Sequence, residues 1–313
     1  MTSKPQSFEQ AIVDGFRLLR VKFRFSWGFS VRLPGTSASE PTLKLPPPTT
    51  LIGALARGLA YVLDLPEVYV ERGEMVSTAE KVSGFTRSVH LSLLTEEGKA
   101  PFWSIMSDIT RMQALQYLQP KYWRLEHMDT WFGVHSVGKV YIPSVLSEGI
   151  YVIDGSEAER ALGGDWRSVL IKSALSMTAV GVKESIVSVE DARLTPMRHI
   201  KTEGYVSSRF YFPSKAVSPS DLVFLRRELM EDEYWDHRDR KTRVLDPRKT
   251  MTADRIPYVI PIGKGIPKPL SEDNLPRLRF RLSGKGVALT DIDPVEEALK
   301  RGDVVLTLRR WLT

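Results

Sequence analysis

Residues 44–63, Lys-Leu-Pro-Pro-Pro-Thr-Thr-Leu-Ile-Gly-Ala-Leu-Ala-Arg-Gly-Leu-Ala-Tyr-Val-Leu, decide how the first half of the chain folds. The three consecutive prolines have no backbone N–H to donate, and they hold the chain extended until a helix begins. Leucine, isoleucine and valine then recur every three or four residues, which predicts a helix with one buried face. Thr49 or Thr50 is expected to cap its first turn.

Two glycines, Gly53 and Gly58, lie inside this predicted helix. Each costs about 1 kcal/mol relative to alanine, so the pair indicates a close approach by another backbone or by a ligand at the helix start. The free amides of a helix N-terminus attract phosphate, and Lys44 lies just upstream. A phosphate site and an ordinary buried helix without a ligand both stay open at this point.

The stretch upstream, residues 19–29, alternates large apolar residues with cations. This period of two predicts a strand with one buried face. The opposite face carries Arg20, Lys22 and Arg24, and such a face is either solvated or binds single-stranded RNA. A short helix from Phe8 to Phe16 is expected before this strand.

The segments that follow complete a β–α–β–β–α–β order by about residue 190, which predicts a ferredoxin-like or RRM-like unit. Strands are predicted at 81–94, 139–142, 149–153 and 185–189, and a second helix at 166–178.

The remainder of the chain predicts strands at 204–212, 258–262 and 304–308, with helices at 222–240 and 294–300. We therefore predict an α+β protein with an RRM-like domain at residues 1–195 and a mixed, β-rich C-terminal region at 196–313.

Residues 98–138 interrupt the predicted sheet with aromatic residues interleaved with cations. The segment is too long for an ordinary connection. This composition is suited to stacking bases and binding phosphates, and it also suits a small aromatic cluster that packs the insertion onto the body. The two interpretations are compatible.

Composition limits the possible functions. The chain has 313 residues and a net charge of +6, which favours an anionic partner, with nucleic acid before a membrane surface. It contains no cysteine, which excludes disulfides, thiolate nucleophiles and cysteine-bound zinc. Asparagine occurs once, as in proteins from hot environments. Without a transmembrane run or an apolar signal segment, we expect a cytoplasmic protein without a membrane partner.

Several of these segments carry a family resemblance. They are Phe25-Ser-Trp-Gly-Phe29, Val31-Arg-Leu-Pro-Gly35, the run Pro46 to Ala56, and Ala179-Val-Gly-Val-Lys-Glu-Ser-Ile-Val-Ser-Val189. Together they resemble the Cas five family of CRISPR-associated RAMP proteins, most closely its type I-A form. The resemblance covers the first 190 residues.

The resemblance implies a RAMP domain in which residues 98–138 form a projecting thumb. It also implies a non-catalytic subunit of the Cascade surveillance complex that caps the 5′ handle of the crRNA. The implied protein partners are the backbone subunit and the large subunit or a helicase–nuclease module, and any contact with target DNA is indirect.

We expect RNA contacts from the cationic first strand and the loop after it, the start of the proline-led helix, the insertion and the turn near Lys183. The candidate residues are Lys22, Arg24, Trp27, Arg32, Lys44, Thr49, Thr50, Arg57, Trp123, Arg124, His135, Lys139 and Lys183. For the insertion, a contact with a neighbouring subunit is an equal alternative.

Metal-free RNA cleavage needs a general base, a general acid and a cation. His135 with Lys139 and Tyr141, or Arg198-His199-Ile-Lys201, offers these groups, but neither spacing forces them to converge. We find no motif for a metal nuclease or a cofactor and expect neither. The alternatives to a binding subunit are a metal-independent endoribonuclease that processes precursor crRNA and a protein-binding scaffold without RNA contact.

Overall fold

The computed structural model describes residues 9–31, 39–40, 42–94, 104–114, 132–202, 204–264 and 279–313. The helices are α1 (Pro48–Val62), α2 (Ala79–Phe85), α3 (Gly155–Leu162), α4 (Trp166–Leu175), α5 (Pro219–Glu228), α6 (Pro247–Met251) and α7 (Val295–Arg301). The strands are β1 (Glu9–Phe25), β2 (Gly28–Phe29), β3 (Ser39–Glu40), β4 (Val68–Glu71), β5 (Glu74–Ser77), β6 (Thr86–Leu93), β7 (Ser104–Ala114), β8 (Phe132–Tyr141), β9 (Leu146–Asp154), β10 (Val187–Lys201), β11 (Tyr205–Val206), β12 (Phe212–Pro213), β13 (Leu229–Trp235), β14 (Arg255–Gly263), β15 (Phe280–Arg281), β16 (Gly286–Thr290) and β17 (Val305–Leu308).

A six-stranded antiparallel sheet in the order β6-β9-β1-β10-β16-β17 forms the centre of this mixed α+β fold. Strand β1 alternates its side chains between two cores, as a period of two requires. Leu19, Val21 and Phe23 join the core that contains α1 and α4, whereas Leu18 joins a second core with Met197. Because both faces of β1 are covered at this level, the sheet has no fully open face there.

The C-terminal region continues the same sheet. Strand β16 pairs with β10, with Ile200 opposite Ala288, and β17 closes the edge. The predicted division between residues 195 and 196 lies inside β10, so the two regions share a strand and a sheet. A separate three-stranded sheet, β12-β14-β13, packs near α1.

Four sequence-based assignments are wrong in whole or in part. The strand predicted at 204–212 consists of β11 (Tyr205–Val206) and the first residue of β12, with residues 207–211 outside any strand. The predicted helix 8–16 is the first part of β1, which pairs with β10 and bulges around Gly15, where φ is 82°. The first residues of the predicted strand 81–94 belong to α2. The charged helix predicted at 222–240 ends at Glu228, because the next residues pair with β14. For β1 and β13 a distant strand partner overrides the local pattern.

The predicted strand pair 139–142 and 149–153 exists as β8 and β9, but the two strands do not pair with each other. Strand β9 joins the main sheet, whereas β8 pairs with β2, β3 and β7. Strands β7 and β8 are antiparallel partners and frame most of the insertion predicted at 98–138. No helix in the described part of the chain is long and apolar enough to cross a membrane.

Candidate nucleic-acid interface

The proline run sets the start of α1. Pro47 is the N-cap, Pro48 occupies the first turn, and no side chain caps the helix. The expectation that Thr49 or Thr50 caps the helix is therefore wrong. Proline at the first turn is already favourable, because its fixed φ suits the helix and its missing N–H has no partner there.

The loop before α1 is held by strand β13 of the C-terminal region. The Lys44 ammonium donates to Asp232 Oδ1 at 2.8 Å and to the Glu231 carbonyl at 2.7 Å. The Tyr234 hydroxyl donates to the Leu45 carbonyl at 3.4 Å. Lys44, predicted as an RNA contact, is thus paired inside the protein, and its role toward RNA stays a prediction.

A groove of about 420 Å³ lies along α1 from Thr50 to Ala60, and we call it the helix-start groove. Its opposite wall is the turn that follows α4. The lining residues are Ser30, Val31, Thr50, Gly53, Ala54, Ala56, Arg57, Ala60, Glu67, Ser77, Thr78, Ala179, Gly181, Val182 and Lys183. Two of the four segments that carry the family resemblance, the proline-led helix and the Gly-Val-Lys turn, therefore meet in one concavity.

Backbone hydrogen bonds fix the turn against β2. The Val182 amide donates to the Ser30 carbonyl at 3.1 Å, and the Ser30 hydroxyl donates to the Gly138 carbonyl at 2.8 Å. Gly181 has φ of 117°, and a Cβ there would lie 2.8 Å from the Ser30 oxygen. Only glycine fits this position without displacement, so the wall of the groove is a fixed shape.

The two helix glycines have different roles. A Cβ on Gly58 would lie 2.0 Å from the Ser173 carbonyl of α4, which confirms the expected close approach of a backbone. A Cβ on Gly53 would meet nothing within 4 Å. Gly53 lines the helix-start groove, so the groove comes directly against the α1 backbone.

Two cations flank the helix-start groove. Arg57 is 53% exposed, and its Nε lies 4.0 Å from a carboxylate oxygen of the more exposed Glu67. Lys183 is exposed and has no ion-pair partner among the described residues. Exposed pairs at this separation contribute little, so both cations are available to an anionic ligand.

The cationic face predicted for β1 is divided. Arg20 is buried and forms ion pairs with Glu148, Asp291 and Asp303, so it is not a surface cation. Lys22 is half-buried.

Arg24 keeps 30% of its side chain exposed while it pairs with Glu190 at 2.7 Å. The face is therefore neither a free cationic surface nor a fully covered one.

An aromatic platform contacts the turn that follows α4 at Glu184, and we call it the Trp27 platform. Trp27 is half-buried, and its ring lies 5.5 Å from that of Tyr141. Its Nε1 donates to the Glu184 carbonyl at 2.6 Å, and Lys139 Nζ lies 5.6 Å from the ring centroid. An aromatic ring beside a cation can stack a base and bind its phosphate.

The predicted site residues are thus brought together only in part. Thr50, Arg57 and Lys183 line the helix-start groove, whereas Trp27 and Lys139 form the Trp27 platform. Among the other residues predicted to contact RNA, Lys44 and Thr49 lie at the start of α1, Lys22 and Arg24 lie in β1, and His135 lies in β8. Arg32, Trp123 and Arg124 lie outside the described residues.

Sequence reasoning missed several lining residues, among them Ser30, Glu67, Thr78 and Gly181. Gly181 had a signal, because it lies in the segment 179–189 that carries the family resemblance.

The described histidines do not form a catalytic set. His90 is fully buried, its Nδ1–H donates to the Tyr211 carbonyl at 3.1 Å, and burial lowers its pKa to about 4. Burial likewise lowers the pKa of His237 to about 4. The pKa of His199 is lowered by burial and by the nearby Arg309 and Lys201. Within the described residues, no cluster of histidine and carboxylate side chains could hold a metal ion.

Comparison with known proteins identifies the family. The chain is 33% identical to the CRISPR system aCascade subunit Cas5 1 of Saccharolobus solfataricus over 196 residues, covering 62% of this chain and 70% of that protein. It is 29% identical to the CRISPR-associated protein Cas5 2 of the same organism over 197 residues, covering 62% and 67%. No family model matches the sequence.

The fold is also that of a known CRISPR protein. A crystal structure of a CRISPR protein from Archaeoglobus fulgidus superposes with a TM-score of 0.51 at 18% identity, covering 93% of this chain and 99% of that one. These matches place the chain among CRISPR-associated proteins. Within that class it belongs to the Cas5 family.

Proposed function

We propose that this chain is a non-catalytic, crRNA-binding subunit of a type I-A Cascade complex and caps the 5′ handle of the crRNA. The observation that carries the proposal is the helix-start groove, whose lining brings together Arg57 from α1, Lys183 from the turn after α4, and a glycine from each of these two segments. A phosphodiester fits such a groove, because cations neutralise its charge and the absence of a Cβ on Gly53 lets the strand approach α1.

The Trp27 platform supports the same proposal. It lies beyond the Lys183–Glu184 turn, since Trp27 bonds directly to the Glu184 carbonyl. A nucleotide whose phosphate lies near Lys183 can stack its base on Trp27, with Lys139 alongside. The handle would then be held by its backbone on one side of the turn and by a base on the other.

The topology supports a RAMP version of the ferredoxin-like unit. In the order β10-β1-β9-β6, the fourth, first, third and second strands of a β–α–β–β–α–β unit lie side by side, with α1 and α4 on one face. The β7–β8 hairpin is the proposed thumb. We assign residues 1–195 to this unit and residues 196–313 to a C-terminal region that braces it.

The proposed partners are a backbone subunit and a large subunit or helicase–nuclease module. One relative is named as an aCascade subunit, and we extend that assembly to this chain as part of the proposal.

Charge reversal in the groove tests the proposal. Arg57→Glu and Lys183→Glu should each weaken binding of an RNA with the repeat-derived 5′ handle by about threefold to tenfold. They should weaken binding of an RNA with a scrambled handle by a smaller factor. Lys300→Glu is the matched control, since Lys300 is an exposed lysine on α7 outside the groove. Gel shifts at several salt concentrations measure both effects.

Equal affinity of the assembled complex for handle and scrambled RNA would contradict handle capping. Specific cleavage of precursor repeat RNA by the pure chain in EDTA would instead favour an endoribonuclease.

A further inference from the structure

A second cationic concavity lies at the far end of the main sheet, and we call it the C-terminal basic cavity. It has a volume of about 430 Å³. Its lining residues are Lys215, Gly284, Lys285, Leu308, Arg309, Arg310 and Thr313. Among these described residues four are cations, and none has an acidic side chain.

The rim of this cavity is fixed by backbone contacts between three segments. The Arg309 amide donates to the Lys285 carbonyl at 2.8 Å, and the Ser283 hydroxyl donates to the Lys215 carbonyl at 2.6 Å. A Cβ on Gly286 would lie 2.1 Å from the Ala216 carbonyl, so the segments are in close contact. The four cationic side chains therefore extend from a preformed rim.

These cations are not neutralised by the protein. All four are exposed, and none has an ion-pair partner in the part of the chain that the structure describes. Some exposed arginines elsewhere are paired, as Arg240 is with Glu71 and Glu74, whereas at this cavity all four cations lack such a partner among the described residues. The pKa of His199 is lowered by burial and then by Arg309 and Lys201, which is independent support for a positive potential here.

The cavity is separate from the helix-start groove. The groove lies beside the Val187 end of β10, whereas Gly286 lies just beyond the Lys201 end. Strand β10 has 15 residues and a strand rises about 3.3 Å per residue, so the two sites lie near opposite ends of a strand with an extended length of about 45 Å. A ligand in one does not fill the other.

We propose that the C-terminal basic cavity binds the phosphodiester backbone of a nucleic acid, independently of handle capping. Among the described lining residues, four cations surround a concavity and no aromatic ring is present to stack a base, a composition that suits contact with phosphates rather than recognition of base sequence. An acidic protein segment is the alternative that the test distinguishes, and the described lining favours it less, because its large apolar side chain, Leu308, is buried.

The test uses the full chain with labelled single-stranded RNA, single-stranded DNA and duplex DNA that lack the handle sequence. Lys285→Glu and Arg310→Glu should each weaken binding of at least one probe by about threefold to tenfold. Each should also lower the slope of log affinity against log salt by about 0.7 on single strands or about 0.9 on a duplex. The probe with the largest loss identifies the nucleic acid.

Lys300→Glu is again the matched control and should leave affinity and slope unchanged. Lys285→Ala and Arg310→Ala remove the charge without adding one, which keeps the test valid if a reversal lowers the Tm. Unchanged affinity and salt slope for all three probes in these variants would overturn the proposal. A variant that loses subunit assembly but keeps its affinity for all three probes would overturn it as well.

Failure of this proposal is distinguishable from failure of handle capping. Variants of the C-terminal basic cavity should weaken binding of handle RNA and of scrambled RNA equally. Variants of the helix-start groove should weaken binding of handle RNA more than binding of scrambled RNA.

Discussion

Arg20 lies in the middle of β1 with 2% of its side chain exposed. It donates to Glu148 at 3.0 Å and to Asp291 at 2.5 Å, and Arg209 bridges Glu148 to Asp303. These groups come from both halves of the chain, so the network joins the main sheet to the C-terminal region. Burial of a charge costs several kcal/mol unless it is paired, so removing one partner exposes that cost.

We expect Arg20→Met to lower the free energy of unfolding by about 3 kcal/mol or more at neutral pH. Burial raises the pKa of Glu148 and Asp291, but the arginines outweigh it and the net pKa of each carboxyl is lowered. In the native protein this stabilisation is present above the ordinary carboxyl pKa values and is lost as pH falls through the lowered ones.

Without Arg20, Asp291 has no charged partner among the causes that lower its pKa, so burial should raise the pKa of Asp291 above its unfolded value, whereas Glu148 keeps Arg209. Protonation of the buried carboxyl then favours the folded state. The loss in free energy of unfolding caused by Arg20→Met should therefore become smaller as the pH falls from 8 to 5. Urea unfolding across this pH range measures the trend. Arg193→Met is the control, because Arg193 is 52% exposed and 4.0 Å from Asp191. A deficit of Arg20→Met that grows on acidification would contradict the argument.

The two glycines of α1 give a matched pair of substitutions. Gly58→Ala places a Cβ 2.0 Å from the Ser173 carbonyl, so α1 and α4 must separate. Overpacking costs about 1–3 kcal/mol, which exceeds the gain in helix propensity of about 1 kcal/mol. Gly53→Ala meets no atom within 4 Å and should stabilise the protein by up to about 1 kcal/mol. Opposite shifts in the urea midpoint are expected, and equal shifts would refute the packing explanation.

Strand β13 acts on α1 through the loop that precedes it. Asp232 accepts from both the backbone N–H and the ammonium of Lys44, and the Tyr234 hydroxyl donates to the Leu45 carbonyl. The helix start is therefore positioned by a strand from the other half of the chain. The shape of the helix-start groove depends on this contact as well as on the prolines.

We expect Asp232→Ala to loosen the first turn of α1 at a cost of about 1 kcal/mol. Hydrogen exchange should become faster at the amides of Thr50 and Leu51, which donate to the Pro47 carbonyl. Glu233→Ala is the control, because Glu233 is an exposed neighbour on the same strand. Unchanged exchange at both amides would show that the prolines alone position the helix.

Periodicity predicted the elements whose burial is set locally. The helix at 48–62, the helix at 166–175 and the strand at 255–263 follow from apolar spacing that matches one buried face. Residues 219–235 could not be divided in the same way, because their charged pattern is compatible with a helix throughout. Pairing of Met230 with Ile260 decides where the strand begins, and that information lies far away in the sequence.

At the scale of the whole molecule, the mixed α+β class could be predicted from the sequence, but the covering of the sheet by the C-terminal region could not. The alternation around Arg20 indicates an outward cation, and only the return of β16 and β17 reveals that this face is buried. The same holds for the candidate site. Arg57 and Lys183 lie far apart in sequence, and the fold brings them to one groove.

The shared sheet predicts that the chain unfolds as one unit. Phe210 packs in the second core with Leu18 and Met197, and Asp291 pairs with Arg20, so neither half can lose its structure without exposing the core and charges of the other. Calorimetry of the full chain should show a single transition, with calorimetric and van't Hoff enthalpies in a ratio of about one.

A fragment of residues 1–201 should fail to fold, because it lacks Phe210, Asp291 and the strands β16 and β17. Gly58→Ala provides the control in the intact chain. Although Gly58 lies in α1, this variant should lower the unfolding temperature reported by the C-terminal region as much as that reported by α1 itself. Two separate transitions, or a cooperatively folded fragment, would show instead that the two regions are independent units that merely share an edge.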